Sequence, residues 1–163
     1  MSVSVDEAEV LSRNRAFYAA FRQRDLPRMD DLWAREARVA CIHPGWQPIR
    51  GRAQVMASWR AILGQTNSPQ IDCHGATVSV FGETALVLCE EMLDDGRLVA
   101  TNVWVREEGE WRICHHQAGP LAPAPSERAA DRDDEHDEDS DELELDDDSI
   151  PTLPHRQSRR LLN

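Results

Sequence analysis

The chain has 163 residues and a formal net charge of −12, and this charge is distributed unevenly. Residues 1–120 contain 13 Arg and 16 acidic residues, which gives −3, whereas residues 121–163 contain 5 Arg and 14 acidic residues, which gives −9. The second segment also has no Gly and no aromatic residue, so it cannot build a hydrophobic core. We therefore predict one folded domain at 1–120 and an acidic, Pro-linked disordered tail at 121–163.

The composition also argues against several classes of protein. The chain contains no Lys, which excludes a catalytic Schiff-base lysine. No stretch approaches the roughly 20 apolar residues of a membrane span, and the N-terminus lacks a signal-peptide pattern, so we predict a cytoplasmic protein with no membrane partner. The net acidity and the lack of a basic stripe argue against a nucleic-acid partner.

The first half of the domain has the periodicity of helices. Apolar residues at spacings of three and four over 10–21 predict a first helix of about twenty residues. A second, shorter helix is predicted after Asp25, which is a suitable N-cap. A short strand at 37–42 follows, and a third helix is predicted from Gly51 to Gly64.

The second half of the domain has the pattern of a four-stranded antiparallel meander. Turn residues separate four alternating segments, with Gly75 expected to mark a bulge in the first of them. The predicted strands are 70–80, 84–93, 97–106 and 110–118. Helices followed by a meander predict an α+β fold in which the helices pack on one face of a curved sheet.

The turns between the strands determine which side chains share a face. Two-residue turns at Asp95-Gly96 and at Glu108-Gly109 would place Glu91 opposite Ala100, and Asn102 opposite His115. One face of the sheet then carries Val87, Cys89, Glu91, Asn102, Trp104, Trp111, Ile113, His115 and Gln117. The opposite face is also largely apolar, so we predict a homodimer that covers it.

The order of elements, with the strings AFYAAFRQRDLPRMDDLW, CIHPGWQPIRGRAQVMASWRAIL, TALVLCEEML and TNVWVREEGEWRICHHQAGP, resembles the nuclear transport factor 2-like superfamily. Within it, the chain is most similar to the SnoaL-like (polyketide-cyclase-like) single-domain proteins, from about Asp6 to Pro120. The resemblance implies a cone-shaped antiparallel sheet wrapped around the long N-terminal helix, a pocket inside the cone and dimerisation through the outer sheet face. It also implies that the face with Glu91 and Asn102 is the inner one, since polar pocket groups of related association domains stand at matching positions. It implies no single activity, because the superfamily contains isomerases, dehydratases, cyclases, ligand binders and association domains.

Glu91 and His115 are the candidate catalytic residues, with Asn102 on the strand between them. Adjacent strands lie about 4.8 Å apart, so these side chains can converge inside an apolar cone. Desolvation raises the pKa of a buried carboxylate, which is a common way of preparing a general base. The alternative is a hydrogen-bonded cluster that only satisfies its own polar groups.

The predicted ligand-binding residues surround this cluster. His43 and Trp46 flank the tight Pro44-Gly45 turn at the expected rim of the pocket, and they either line it or pack on the core. The full predicted set is Asn14, Tyr18, His43, Trp46, Trp59, Cys89, Asn102 and Gln117.

We expect no cofactor and no metal. The neighbouring His115 and His116 point to opposite faces of a strand and cannot bind one ion together. A set of His43, His115 and Glu91 is conceivable, but no local ligand spacing supports it.

The sequence therefore favours a protein that binds a small hydrophobic molecule, with isomerase, dehydratase or cyclase chemistry as an extension. The alternative is a non-catalytic, dimeric association module whose acidic tail recruits partners. Whether the protein is an enzyme stays open at this point.

Overall fold

The computed structural model describes residues 4–66, 69–94 and 96–121. These ranges form the predicted α+β fold with the three predicted helices, and they contain six strands where five were predicted, because β2 was missed. In chain order the elements are α1 (Val5–Gln23), α2 (Leu26–Leu32), β1 (Ala40–Ile42), β2 (Ile49–Arg50), α3 (Arg52–Leu63), β3 (Asp72–Phe81), β4 (Thr84–Leu93), β5 (Gly96–Glu107) and β6 (Glu110–Pro120). The predicted tail, apart from Leu121, lies outside the described residues.

Local capping sequences determine where the helices begin and end. α1 starts with a capping box, in which the Glu7 backbone N donates to Ser4 Oγ at 3.2 Å and the Ser4 backbone N donates to Glu7 Oε2 at 2.7 Å. Asp25 caps α2 as predicted, accepting from the backbone N of Arg28 at 3.0 Å. Within the described ranges, no helix is long and apolar enough to cross a membrane.

The six strands form one sheet in the order β2-β1-β6-β5-β4-β3. β1 pairs with β6 in parallel, Ala40 lying opposite His115, so the sheet is mixed and the prediction of a wholly antiparallel sheet is wrong at this point. A parallel pair needs a long crossover connection, and here α3 and four strands separate β1 from β6 along the chain. α1 contacts β3, β4 and β6, so the sheet curves around this helix as predicted.

Bulges and tight turns set the register of the meander. The predicted bulge at Gly75 is confirmed, because the pairing of β3 with β4 shifts between His74 and Thr77 and Gly75 has φ of 60°. The predicted turn at Glu108-Gly109 is also confirmed: both residues have positive φ, 50° and 83°, as a type I′ turn requires.

The turn between β4 and β5 lies one residue earlier than predicted. Leu93 pairs with Gly96, so Glu91 lies opposite Leu98 rather than Ala100. The partner changes by two residues, which leaves Glu91 on the predicted inner face.

The largest correction comes from a second bulge, at Cys114. Val103 pairs with His115 but Trp104 pairs with Ile113, so Cys114 is an extra residue on β6. One inserted residue reverses the alternation of every side chain beyond it. His116 therefore faces the interior, lying opposite Asn102 and only 4% exposed. The predicted inward orientation of His115 and Gln117 is wrong, as is the predicted pairing of Asn102 with His115.

A buried carboxylate ties the connection between α2 and β1 to the end of β5. Glu107 accepts hydrogen bonds from the backbone N–H groups of Arg35, Glu36 and Ala37 at 2.9, 3.0 and 2.8 Å. Burial alone would raise the pKa of Glu107, but these three donors and the charge of Arg112 outweigh it and lower the pKa. The ionised carboxylate is thus the form that holds this connection in place.

Candidate functional site

The interior of the curved sheet contains a cavity of about 350 Å³. Its exposed lining residues, which include Trp46 and Gln65, form the mouth, whereas the buried Tyr18, Glu91 and His116 form the floor. The complete lining is Phe17, Tyr18, Phe21, His43, Pro44, Trp46, Trp59, Ile62, Gln65, Pro69, Ile71, Glu91, Leu93, Leu98 and His116. This volume is within the range of small-molecule sites, about 300–1,000 Å³.

Glu91 places a carboxyl group on the floor of this cavity. It is 2% exposed, and its Oε1 accepts a hydrogen bond from the Tyr18 hydroxyl at 2.8 Å. Burial raises the pKa of Glu91 above its ordinary value, and the hydrogen bond from Tyr18 opposes this shift. His116 Nε2 lies 3.9 Å from the same oxygen. Two proton-accepting groups are therefore close together in an apolar surrounding.

Tyr18 remains a hydrogen-bond donor under ordinary conditions. Burial, followed by the neighbouring charges of Glu91 and Cys89, raises the pKa of its phenol well above the usual range. Tyr18 Oη also lies 3.2 Å from Cys89 Sγ. The phenol proton is directed at Glu91, because the carboxylate is the strongest acceptor in reach.

Two side-chain amides, of Asn14 and Asn102, form a hydrogen-bonded chain that ends on His116. Asn102 Nδ2 donates to Asn14 Oδ1 at 2.8 Å and is 3.4 Å from Tyr18 Oη, while Asn102 Oδ1 lies 2.7 Å from His116 Nδ1. An amide oxygen can only accept, so the proton of the neutral imidazole is on Nδ1 and the Nε2 lone pair is free. Burial, with smaller contributions from His43 and His115, lowers the pKa of His116 to about 3, so the ring is uncharged at neutral pH.

His43 is held in a similar way just after β1, the strand that pairs with β6 beside His116. Its Nε2 is 2.9 Å from Ser58 Oγ, and that hydroxyl donates to the backbone O of Val55 at 2.8 Å. Ser58 therefore accepts from His43, which places the proton on Nε2. Burial lowers the pKa of His43 to about 4. The ring packs edge-on against Trp46 and Trp59, with centroid distances of 5.1 and 4.8 Å.

The structure separates the predicted site residues into three groups. Tyr18, His43, Trp46, Trp59 and Glu91 line the cavity. Three others, Asn14, Cys89 and Asn102, are buried behind the wall and direct their polar atoms to protein neighbours. The last two, His115 and Gln117, lie on the outer sheet face.

Sequence reasoning missed His116, because strict alternation assigned the inner position to His115. The apolar wall residues Phe17, Phe21 and Ile62 were detectable, since they share helix faces with Tyr18 and Trp59.

In the part of the chain that the structure describes, no group of three or more His, Cys, Asp or Glu side chains is arranged to hold a metal ion. The conceivable set of His43, His115 and Glu91 cannot form, because His115 is on the other side of the sheet from the cavity.

Comparisons with known proteins agree on the fold. A family model for the SnoaL-like domain matches residues 10–123. A solved structure from Streptomyces avermitilis, a candidate dehydratase of the NTF2-like family, is 34% identical with a TM-score of 0.66, and the match covers 72% of this chain and 97% of that one. A candidate calcium/calmodulin-dependent protein kinase type II association domain from Thiobacillus denitrificans is 35% identical with a TM-score of 0.62, covering 69% and 94%.

A curated relative, the F-box protein SKIP8 of Arabidopsis thaliana, is 27% identical over 114 residues, or 69% of this chain. The matched region is 49% of that protein, so the chain spans about half the length of this relative. An NTF2-like protein with a cystatin-like fold from Novosphingobium aromaticivorans is 19% identical, with a TM-score of 0.59. The match covers 76% of this chain and 87% of that protein. That likeness concerns the fold alone.

Proposed function

The chain belongs to the SnoaL-like domain family of the NTF2-like superfamily, and from this premise we propose that it binds a small hydrophobic molecule in its cavity and acts on it by general acid/base chemistry. The reaction class is that of an isomerase, dehydratase or cyclase. The observation that supports this most is the contact of Glu91, Tyr18 and His116 on the floor of an apolar cavity. A buried carboxylate is costly to keep, so its presence there favours a chemical use.

Glu91 is the general base in this proposal. A raised pKa makes its ionised form a stronger base than an exposed carboxylate, and it can accept a proton from a carbon or hydroxyl of the ligand. The Tyr18 hydroxyl donates to the carboxylate and stabilises its charge. The unprotonated His116 Nε2, 3.9 Å from Glu91 Oε1, is a second proton acceptor beside the ligand. Asn102 acts only through His116, because its amide is committed to Asn14, Tyr18 and His116.

Replacing Glu91 by Gln is expected to abolish proton transfer while preserving the fold. The amide keeps the shape of the side chain and can still accept from Tyr18, but it cannot take a proton, so the rate should fall by about 10²-fold or more. The measurement is the rate of solvent deuterium incorporation into a ligand identified by thermal-shift screening, followed by mass spectrometry.

Glu90→Gln is the matched control, because Glu90 is the neighbouring residue on the opposite sheet face. Urea unfolding of both variants should show no loss of stability. Equal deuterium incorporation in Glu91→Gln and the unmodified protein would remove Glu91 from the mechanism.

A second candidate function, a dimeric association module, is favoured by the outer sheet face. Leu88, Val99 and Phe81 are 44%, 43% and 67% exposed there, although large apolar side chains normally avoid water. The likeness to the Thiobacillus denitrificans association domain supports the same reading. We propose that a second copy of the chain covers this face, with the acidic tail recruiting partners if the cavity is not catalytic. The cytoplasmic location and the absence of membrane and nucleic-acid partners stay predictions.

Leu88→Glu is expected to convert the dimer to a monomer. Placing two carboxylates in an apolar interface should weaken the dimer by about 100-fold or more, which corresponds to about 3 kcal/mol. Sedimentation velocity at micromolar concentration measures this, with Ala57→Glu on the exposed side of α3 as the control. A monomeric unmodified protein, or a dimer that survives Leu88→Glu, would contradict the interface.

A further inference from the structure

We propose that the cavity selects an uncharged, planar molecule that donates a hydrogen bond through a hydroxyl group, and that His116, assisted by His43, is the acceptor that recognises this group. The inference rests on the proposed small-molecule site but not on its acid/base chemistry. It follows from where each buried polar group of the cavity lining directs its proton.

The buried hydrogen-bond donors of the lining are already used by the protein, whereas Trp46 and Gln65 carry donors at the exposed mouth. Tyr18 gives its only proton to Glu91, His116 gives its Nδ1 proton to Asn102, and His43 gives its Nε2 proton to Ser58. The indole Nε1 of Trp59 has no partner among the described residues, but the atom is buried and does not open onto the cavity. The buried part of the lining therefore offers lone pairs, on the Glu91 carboxylate, His116 Nε2 and His43 Nδ1, to whatever binds.

The tautomer of His116 depends on the orientation of the Asn102 amide. If that amide were turned over, its oxygen would face Tyr18 Oη, 3.4 Å from the nitrogen position in the structure. Tyr18 has no proton for it, because its hydroxyl donates to Glu91. Two lone pairs would then oppose each other, so the orientation with Nδ2 toward Tyr18 is favoured. This keeps the His116 Nε2 lone pair beside Glu91.

His43 is the weaker of the two acceptors. The thiol of Cys41 lies 3.8 Å from its Nδ1 and 3.7 Å from its Nε2, and a thiol is a weak donor. A ligand hydroxyl would be the better partner for Nδ1. His116 Nε2 has the carboxyl of Glu91 beside it at 3.9 Å, which is too long for a hydrogen bond, so this lone pair is the more available one.

The walls and charges define the rest of the ligand. Aromatic rings of Phe17, Phe21, Trp46 and Trp59 line the cavity, which favours a flat molecule. The described lining contains no Arg, so an anionic ligand would be buried without an opposite charge. Both imidazoles are uncharged at neutral pH and give an anion no compensation.

Four naphthalene derivatives with one ring system test the inference on the full-length chain. They are 2-naphthol, which donates a hydrogen bond, 2-methoxynaphthalene, which only accepts, the anion 2-naphthoate and the cation 2-naphthylmethylammonium. Calorimetric titration should give 2-naphthol the lowest Kd, by about tenfold or more over each of the others. Binding of 2-methoxynaphthalene as tightly as 2-naphthol would overturn the inference while leaving the small-molecule site intact. Tighter binding of 2-naphthoate or of 2-naphthylmethylammonium than of 2-naphthol would also overturn the inference.

Substitution of His116 identifies the acceptor. His116→Phe should weaken 2-naphthol by about tenfold and leave 2-methoxynaphthalene nearly unchanged, whereas His115→Phe on the outer face should affect neither. Equal losses for both ligands in His116→Phe would contradict the assigned acceptor.

Two further results keep the inference separate from the proposed function. Nitrogen-15 NMR of the unmodified protein should show His116 as the Nδ1–H tautomer, and an Nε2–H signal would overturn the inference even if His116→Phe fails to fold. Failure of all four naphthalenes to bind would reject the small-molecule site itself, and with it this inference. Selective binding of 2-naphthol without deuterium incorporation into any ligand would reject only the acid/base chemistry.

Discussion

Lowering the pH from 7 to 5 is expected to reduce the free energy of unfolding by about 2 kcal/mol for each of His43 and His116. Burial lowers the pKa of these residues to about 4 and about 3, whereas an unfolded histidine titrates near pH 6.5. Between these pH values the unfolded chain binds protons that the folded domain does not bind. The free energy of unfolding therefore falls as the pH falls. Their contribution is complete above pH 6.5 and is lost progressively toward pH 4.

Glu91 has the opposite effect. Its pKa is raised in the folded state, so it binds a proton there before it does in the unfolded chain, and acidification stabilises the fold through this residue. Two histidines act against this one carboxyl group, so we expect acidification to lower the free energy of unfolding overall. Glu107, whose pKa is lowered, adds a further loss only below about pH 4.3, the unfolded value for Glu.

Urea unfolding at pH 7 and pH 5 measures this dependence. His43→Gln keeps an uncharged polar side chain at the site and should remove about half of the loss between the two pH values. His74→Gln, at an exposed position of β3, is the control and should lose as much stability as the unmodified protein. A free energy of unfolding that is the same at both pH values would show that the buried histidines are not held uncharged.

Asn102→Leu is expected to destabilise the domain by about 4 kcal/mol, although the two side chains have nearly the same shape. The change leaves Asn14 Oδ1 and His116 Nδ1–H buried without partners, and each unpaired group costs about 1–3 kcal/mol. Tyr18 also loses a neighbouring donor. Chemical denaturation at pH 7 measures the loss.

The control for Asn102→Leu is Thr101→Val, which changes the adjacent residue on the other sheet face. This substitution should alter the stability by less than about 0.5 kcal/mol, because Thr101 is not part of the buried amide chain. A loss below about 1 kcal/mol in Asn102→Leu would mean that the amide chain behind His116 contributes little to the fold.

Much of the fold was accessible from local sequence signals. The stripe over 10–21 predicted α1, Asp25 predicted the start of α2, and the Glu108-Gly109 turn predicted the last hairpin with its correct register as far as Ile113. These signals depend on neighbouring residues only, through helical spacing, capping and the backbone angles of a turn. Helical spacing placed Tyr18 on the buried stripe of α1, whereas Glu91 was placed inside the cone by strand alternation together with the family resemblance.

The remaining part of the candidate site depended on contacts between distant segments. Alternation predicted His115 inside, but the bulge at Cys114 reverses β6 at the position where β1 joins it, with Ala40 opposite His115. Bulges of this kind follow from how neighbouring strands fit together, so nothing in the local pattern marks them. The position of Asn102 behind the cavity wall could not be predicted from the local sequence either, because its hydrogen-bond partner Asn14 lies 88 residues away in the chain.

By itself, the sequence determined the helices, the turns, the family resemblance and an apolar interior with one carboxylate, because each of these is encoded by local spacing or by residue type. Only the tertiary structure decided that His116 and not His115 meets Glu91, and that the imidazole protons point away from the cavity. Those facts depend on a one-residue bulge and on hydrogen bonds from α1 across the sheet, where the free energy of packing outweighs the local preference for alternation.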